Sequence, residues 1–448
     1  MRKKRISLAL ATLLFASAFS FVGCDGNAPE FVLRVGSWDE YIDEGGEESY
    51  APDSRPLYEE FEDWYYQEYG IKVKVDYIPL QDNETMYSKI KLGDSYDLLC
   101  PSEYMMMKLV AENRLQPYPN EFFNKETEHN YYAKYVSPYI ENVFLSGKTA
   151  DGKTWRDYTA GYMWGTTGFV VNPNNVDPEL AKSWSILQNP DFKRRITAKD
   201  NVRDAYFVGL GMHYEQQLLD LKARYALDND KQTYMDDISN LMNDTEPETM
   251  TAVQKELEAM RKNLYGLETD EGKMDIIRGG FDISYQWSGD AVYVLDKAEE
   301  FDLELEYVIP ESASNLWFDG WVMMKDIGDK KTQAAMAFVN FLSRPDNVVR
   351  NMYYIGYTSC ISGNEENETV YEYIEEMYGD EEGETSYDLS YFFDYGATPH
   401  VITTTEDQLK RQLLAQYPNE ETITRLVVMD YFSKEVHKKA VRMWTQIK

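Results

Sequence analysis

Short apolar runs and helical hydrophobic patterns alternate along the first hundred residues. Apolar and polar residues alternate at 71–77, which predicts a strand with one polar face, and apolar runs at 31–35 and 96–100 predict two more strands. Apolar residues at helical spacing predict helices over 57–69 and 86–92. Strands that alternate with helices in this way are typical of a parallel sheet with right-handed crossovers.

The same alternation begins again after Gly165. Further strands are predicted at 168–171, 196–200, 282–287, 303–309 and 317–324. Further helices are predicted at 184–187, from Asn201 onwards, and at 332–342. A chain of 448 residues exceeds the roughly 250 to 300 residues at which one hydrophobic core stops growing, so two domains are expected. The predicted fold class is therefore α/β, with two units that share no sequence repeat.

The charge of the chain narrows the classes of partner. Lys and Arg number 45 against 78 Asp and Glu, which gives a formal net charge of -33. Binding to nucleic acid or to anionic lipid headgroups needs clustered basic residues, so neither is expected. The 36 Tyr, 19 Phe and 9 Trp exclude a disordered acidic chain, which would lack apolar surface to bury. The acidic stretch 365–388 is expected to be a solvated loop or helix face.

The N-terminus has the composition of an export signal. Basic residues at 2–5 precede an apolar run at 6–21, and a small-residue cleavage site ends on Cys24. This arrangement resembles a bacterial lipoprotein signal. The resemblance implies a signal peptide at 1–23, a lipid on Cys24 and a tether at 24–30 that anchors the mature protein to the membrane. The alternative is an ordinary secretory signal with an incidental cysteine.

Aromatic and acidic residues share the segments at the ends of several predicted strands. Ligands of open parallel sheets bind beyond the carboxyl ends of the strands. The residues at these positions are Trp38-Asp39-Glu40-Tyr41, Ser102-Glu103-Tyr104, Asp204, Trp287-Ser288-Gly289-Asp290 and Trp317-Phe318-Asp319. A ring face attracts a cation, and a carboxylate accepts charge-assisted hydrogen bonds from ammonium groups. The combination indicates a site for a flexible organic cation, although each residue alone also fits a core tryptophan or a helix cap.

Several short segments occur in a specific order and spacing. They are Ser37 to Tyr41, Asn83 to Lys89, Tyr96 to Tyr104, Tyr162 to Gly168, Trp317 to Asp319, Asn340 to Asp346 and Ile355 to Tyr357. On these segments the chain resembles the periplasmic polyamine-binding proteins that feed spermidine and putrescine to bacterial ABC importers. The resemblance extends from about residue 31 to residue 357, with interruptions.

The resemblance implies a two-lobed periplasmic-binding-protein fold of type II, in which hinge crossovers let the lobes close over a ligand. Residues 31–166 and 319–363 would form lobe 1. Residues 167–318 and 364–448 would form lobe 2.

The resemblance also implies a set of ligand-binding residues. They are Trp38, Glu40, Tyr41, Ser102, Tyr104, Asp204, Trp287, Trp317, Asp319 and Tyr357. By analogy the three tryptophans stack on the aliphatic part of a polyamine, while Glu40, Asp204 and Asp319 hold its amino groups. Asp39 and Glu103 stand where the family has threonine, and Asn201 stands where it has an acidic residue; these three join the predicted site. The lost carboxylate at Asn201 favours putrescine being bound at least as tightly as spermidine.

Other chemistries have weaker support. The four histidines lack metal-ligand spacing, and Cys100 and Cys360 lie far apart and are expected to stay unpaired, so neither a metal nor a cofactor is predicted. A sugar or amino-acid receptor of the same fold is one alternative. A secreted carbohydrate-active enzyme is another, because glycoside hydrolysis needs only two carboxylates in a cleft.

The resemblance favours a binding protein that is not an enzyme. We expect an extracytoplasmic monomer whose partners are a polyamine and the permease of an ABC importer.

Overall fold

The computed structural model describes residues 28–268, 273–396 and 398–448. The predicted signal peptide at 1–23, the lipidation site Cys24 and most of the predicted tether lie outside the described residues. Each of these three therefore stays a prediction.

The described residues form a mixed α/β fold. The strands are β1 (Phe31–Trp38), β2 (Val73–Leu80), β3 (Leu98–Leu99), β4 (Leu115–Gln116), β5 (Ala160–Val171), β6 (Ile196–Lys199), β7 (Gly266–Glu268), β8 (Ile283–Trp287), β9 (Glu306–Val308), β10 (Ser314–Met324), β11 (Thr358–Ser359), β12 (Thr385–Asp388), β13 (Val401–Thr404) and β14 (Leu426–Val427). The helices are α1 (Leu57–Tyr69), α2 (Asn83–Leu92), α3 (Glu103–Ala111), α4 (Tyr131–Tyr135), α5 (Pro138–Ser146), α6 (Val202–Asp228), α7 (Lys231–Met242), α8 (Pro247–Asn263), α9 (Lys273–Ile277), α10 (Ser288–Glu299), α11 (Asp329–Leu342), α12 (Pro345–Ile355), α13 (Thr369–Tyr378), α14 (Gln412–Gln416), α15 (Glu420–Ile423) and α16 (Lys434–Ile447).

The N-terminal strands form the parallel arrangement predicted from their alternation with helices. β1 pairs in parallel with β2 on one side and with β3 on the other. Helix α1 ends at Gly70, whose positive φ of 68° lets its backbone N–H bond to the carbonyl of Tyr66. Because β1 and β3 are parallel, their carboxyl ends lie at the same edge of the sheet. This brings the segment after Trp38 close to the segment that contains Ser102.

Two long antiparallel strands, β5 and β10, join the two halves of the sheet. The order of the main strands is β2-β1-β3-β10-β5-β8-β6-β7. The register between β5 and β10 shifts between Asp319 and Gly320, which marks a β-bulge. β11 pairs with β5 beside Trp164, so a third segment passes through the same region. These three segments lie near the predicted lobe boundaries at 166, 318 and 363, and their role as hinge crossovers stays a prediction.

A second group of parallel strands lies on the far side of β5. β6 pairs in parallel with both β7 and β8, and β8 and β9 pair with β5 in the antiparallel direction. The carboxyl ends of β6, β7 and β8 therefore share an edge. That edge carries Lys199, Glu268 and Trp287, the last residues of these strands.

Within the described residues, the buried apolar side chains form two separate cores. Trp164 and Trp321 are fully buried in the first core, and Trp184 and Tyr285 are fully buried in the second. The C-terminal segment contributes to both, because Phe392 packs in the first core, while the final helix packs in the second. The boundaries drawn from the sequence at 166, 318 and 363 stay predictions.

Several predicted elements have different bounds in the structure. The helix predicted at 184–187 is present as a short 3-10 helix, Trp184–Gln188. The Trp184 indole is buried and donates to the carbonyl of Ala313, and a proline follows at position 190, so the segment is held by packing and does not extend. The strand predicted at 168–171 begins earlier, at Ala160. Every residue of β5 is buried, so no alternation of polar and apolar residues marks where the strand begins.

The acidic stretch 365–388 is solvated as predicted. Helix α13 directs Val370, Tyr373 and Ile374 inwards, and the carboxylates of the stretch are exposed.

Candidate ligand-binding site

Asp319 is the buried carboxylate around which the predicted site assembles. Its Oδ2 accepts hydrogen bonds from the Trp38 indole and the Tyr41 hydroxyl, each at 2.8 Å, and its Oδ1 accepts from Ser102 Oγ at 2.6 Å. The residue is only 4% exposed. Burial raises the pKa of Asp319 above its usual value, and the three hydrogen bonds oppose the rise. Three residues at or after the carboxyl ends of β1 and β3 thus converge on Asp319 of β10.

Ser102 is positioned for Asp319 by a partner that the sequence reasoning missed. Asn83, at the start of α2, donates from Nδ2 to Ser102 Oγ at 2.9 Å and accepts from the Ser102 backbone N–H at 3.1 Å. Ser102 precedes α3 but makes no side-chain cap there; its hydroxyl donates to Asp319 and accepts from Asn83. Asn83 belongs to one of the segments that carry the family resemblance, and this was its only signal in the sequence.

Aromatic rings extend the site from Asp319 towards the second group of strands. The ring of Tyr357 lies 5.6 Å from that of Tyr41 and 5.3 Å from that of Trp317. The Trp317 indole donates to the carbonyl of Thr166 at 3.0 Å, which fixes the ring against the crossover. Gly289 permits this arrangement, since a side-chain carbon at its position would overlap the Tyr357 ring.

Asp204 and Trp287 form the far end of the site. The Trp287 indole donates to Asp204 Oδ1 at 3.4 Å. Burial raises the pKa of Asp204 to about 6, although the indole bond and the charge of Lys199 favour ionisation. Asn201 caps α6, because its Oδ1 accepts from the backbone N–H groups of Arg203 and Asp204. Its amide oxygen is therefore already used by the backbone.

The Tyr104 hydroxyl contacts a carboxylate outside the predicted set. It donates to Glu84 at 3.2 Å, and burial raises the pKa of Glu84. The Arg203 guanidinium lies 5.5 Å from the Tyr104 ring and 3.7 Å from the Phe432 ring, so a cation of the protein itself occupies this side of the site. Neither residue was predicted from the sequence: Glu84 lies on α2, and Arg203 lies on α6 between the predicted residues Asn201 and Asp204.

Glu103 is buried beneath the site and faces the backbone. Its Oε2 accepts from the backbone N–H of Phe318 at 3.2 Å, and the residue is 1% exposed. Burial raises the pKa of Glu103 to about 8, with the nearby Asp319 charge adding to the rise. The carboxyl is therefore mostly protonated at pH 7. It contributes little charge to the site in that state.

Asp39 and Glu40 lie at the rim. Both are exposed, and Trp38 is partly exposed beside them. Glu40 has a positive φ of 51°, which turns the chain back towards Tyr41. The structure thus brings Trp38, Tyr41, Ser102, Trp317, Asp319 and Tyr357 into one cluster of contacts and leaves the two acidic residues that follow Trp38 in contact with solvent.

A cavity elsewhere on the surface has a different character. It has a volume of about 690 Å³, and its lining includes Tyr50 and several charged residues of α1 and α12. Three of its carboxylates have arginine partners: Glu60 accepts from Arg350 at 2.8 Å, Asp346 accepts from Arg344 at 2.7 Å, and Asp63 pairs with Arg55. Glu376 accepts from the Tyr50 hydroxyl. This lining shares no residue with the cluster of contacts around Asp319.

Metal and thiol chemistry have little support in the described part of the chain. Residues 28–268, 273–396 and 398–448 contain no group of three or more His, Cys, Asp or Glu side chains placed to hold a metal ion. Cys100 and Cys360 are buried free thiols, and burial raises the pKa of each. Among the same residues, no helix has both the length and the apolar character that crossing a membrane requires.

Comparison with known proteins places the chain among solute-binding proteins. Residues 57–375 match the family of bacterial extracellular solute-binding proteins. The spermidine/putrescine-binding periplasmic protein of Salmonella typhimurium is 26% identical over 287 residues, which are 64% of this chain and 70% of that protein. The putrescine-binding periplasmic protein SpuD of Pseudomonas aeruginosa is 24% identical over 357 residues, covering 77% of this chain and 81% of that protein.

A solved structure shows the same architecture. The spermidine/putrescine ABC transporter substrate-binding protein PotD from Streptococcus pneumoniae superposes with a TM-score of 0.59 at 25% sequence identity, covering 93% of this chain and 98% of that chain. The α/β fold class and the two-lobed architecture predicted from the sequence are confirmed, and so is the family resemblance. The chain belongs to the bacterial extracellular solute-binding protein family.

Proposed function

We propose that this protein is the extracytoplasmic substrate-binding component of an ABC importer and that its ligand is a polyamine such as putrescine or spermidine. The relatives named above carry these ligands in their names, and the family is one of transport proteins that bind solutes. In this proposal the protein captures the ligand between its lobes, delivers it to the permease and catalyses no reaction. Lipidation of Cys24 would hold the protein, as a monomer, at the outer face of the membrane.

The observation that carries the proposal is the environment of Asp319. This carboxylate is buried among aromatic rings and is held by three neutral donors, and within the described residues it forms no ion pair with a lysine or arginine. A buried carboxylate without a cation is unfavourable, and an incoming ammonium group would supply the missing charge. The rings of Trp317 and Tyr357 offer faces for the aliphatic carbons of the same ligand.

The far end of the site supports a ligand with a second amine. Asp204 is buried next to the Trp287 indole, so a carboxylate and a ring again lie together. The two ends are connected by a series of contacts through Tyr41, Tyr357, Asp290 and Lys199, whose ammonium lies over the Trp287 ring. A flexible chain with an amine at each end matches this alternation of charge and aromatic surface.

Calorimetric titration tests the proposal. Putrescine, spermidine and spermine are titrated into the protein, with glucose, maltose and glutamate as neutral and anionic comparisons. We expect saturable binding with 1:1 stoichiometry for at least one polyamine and no heat of binding for the other ligands. Binding of a sugar or an amino acid in place of the polyamines would identify a receptor for a different solute. A change of the ligand over time, followed by chromatography, would instead identify an enzyme.

A further inference from the structure

Lys199 places a cation of the protein itself on a ring of the proposed ligand site. It is the last residue of β6, and its side chain is 1% exposed. Its Nζ lies 4.4 Å from the centroid of the Trp287 ring. The same atom lies 2.9 Å from Asp290 Oδ2 and 3.7 Å from Glu268 Oε1. An ammonium group therefore already occupies one face of the indole, with carboxylates on its other sides.

The position of Lys199 follows from the strand register. β6 and β7 are parallel, and Lys199 is the register partner of Glu268. β8 ends beside them with Trp287, and the first turn of α10 supplies Asp290. Because the carboxyl ends of parallel strands bind ligands in folds of this kind, the lysine lies where a ligand group is expected and not in the apolar core.

The carboxylate next to Lys199 is saturated by groups of the protein. Asp290 Oδ1 is 2.8 Å from Lys273 Nζ and accepts from the Tyr357 hydroxyl at 3.0 Å, while Oδ2 bonds to Lys199. Burial would raise the pKa of Asp290, but the two ammonium groups outweigh it and lower the pKa. Asp290 consequently has little capacity left for an amine of a ligand, and Asp204 is the acceptor that remains at this end.

We infer that Lys199 is a specificity-determining residue, which holds the place of a third ammonium group and so selects diamines over longer polyamines. This inference rests on the proposed function. A ligand amine that extended past Asp204 to Trp287 would approach the Lys199 ammonium, which already lies on that ring. The two positive charges would repel strongly, because the site is buried. The two amines of putrescine would be matched by Asp319 and Asp204. The third amine of spermidine would meet Lys199 and not a further acceptor at this end.

Replacing the lysine by an uncharged side chain of similar length tests the inference. Lys199→Met should raise the affinity for spermidine relative to putrescine by about tenfold, as removal of a like charge from the site predicts. Lys273→Met is the matched control, because it removes an ammonium from the other oxygen of Asp290 without removing the cation on Trp287. It should change both affinities to a similar extent and leave their ratio within about twofold.

A second variant and a second ligand keep the test decisive if the single variant does not fold. Lys199→Met combined with Asp290→Asn removes the buried pair as a unit, and it should show the same change of preference. With the unmodified protein, N1- or N8-acetylspermidine, in which one terminal amine is neutral, should bind at least as tightly as spermidine.

Three results would overturn the inference. The first is an unchanged ratio of spermidine affinity to putrescine affinity in the folded Lys199 variants, and the second is an equal change of this ratio in the Lys273 control. The third is that the unmodified protein binds spermidine at least tenfold more tightly than putrescine and both acetylated forms. A failure of every polyamine to bind the unmodified protein would contradict the proposed function instead.

Discussion

Removing the charge of Asp319 without changing its shape should weaken polyamine binding. In an Asp319→Asn variant the amide oxygen takes the place of Oδ2 and still accepts from Trp38 and Tyr41. The amide nitrogen then faces Ser102 Oγ, which has an oxygen lone pair to accept from it. The local packing is therefore retained, and the lost quantity is the interaction between a carboxylate and an ammonium group.

The size of the effect follows from burial and from the existing hydrogen bonds. Asp319 is too buried for solvent or salt to screen its charge. Three donors already stabilise the carboxylate, so the ligand adds one charge-assisted hydrogen bond to an acceptor that is partly satisfied. Such a bond contributes about 1.5 to 3 kcal/mol, which corresponds to a loss of roughly 10- to 150-fold in affinity.

Isothermal titration calorimetry with putrescine measures this loss, and thermal unfolding verifies that the variant is folded. Asp97→Asn is the matched control, because Asp97 is also a buried carboxylate but pairs with Lys331 and precedes β3, whereas Ser102 follows the carboxyl end of that strand. That control should lower the melting temperature and leave the dissociation constant unchanged. A folded Asp319→Asn protein that binds putrescine within twofold of the unmodified protein would refute the reasoning.

Three further predictions concern acid, base and stability. Burial raises the pKa of Asp204 to about 6, so putrescine affinity should fall by about tenfold between pH 7.5 and pH 5 as this carboxylate becomes protonated. Asp204→Asn should remove most of that dependence on pH. A parallel pH profile in the variant would contradict the assignment. Burial raises the pKa of Glu103 to about 8, so the folded state holds a proton that the unfolded state releases. The free energy of unfolding should therefore fall as pH rises between about 4.5 and 8. In urea unfolding, Glu103→Gln should show a weaker decline with pH, and an equal decline would be evidence against this cause. Arg350 binds the fully buried Asp43 at 2.6 Å and also binds Glu60. Arg350→Met should therefore lower the free energy of unfolding in urea by about 3 to 5 kcal/mol, and a change below about 1 kcal/mol would show that solvent reaches the ion pair.

The sequence predicted most of the backbone and part of the site. The strands around β1 and β8 were predictable because their hydrophobic patterns are strong and local. The convergence of Trp38, Ser102 and Asp319 was predictable from strand ends and from the resemblance to known binding proteins.

The missed residues depend on information that is not local in the sequence. Lys199 ends an apolar strand, but its contact with Trp287 depends on the parallel register of β6 with its neighbours. The pairing of Asn83 with Ser102 depends on how α2 packs against the start of α3. The use of Asn201 as a helix cap also shows that one residue can satisfy the pattern of a binding site while serving the backbone.

The crystal structure of the protein with putrescine tests the central claim most directly. The account predicts putrescine between the two ends of the site, with one nitrogen within hydrogen-bonding distance of Asp319, the other near Asp204, and its carbons against Trp317 and Tyr357. Putrescine bound instead in the surface cavity beside Tyr50, with no ligand at Asp319, would contradict the account.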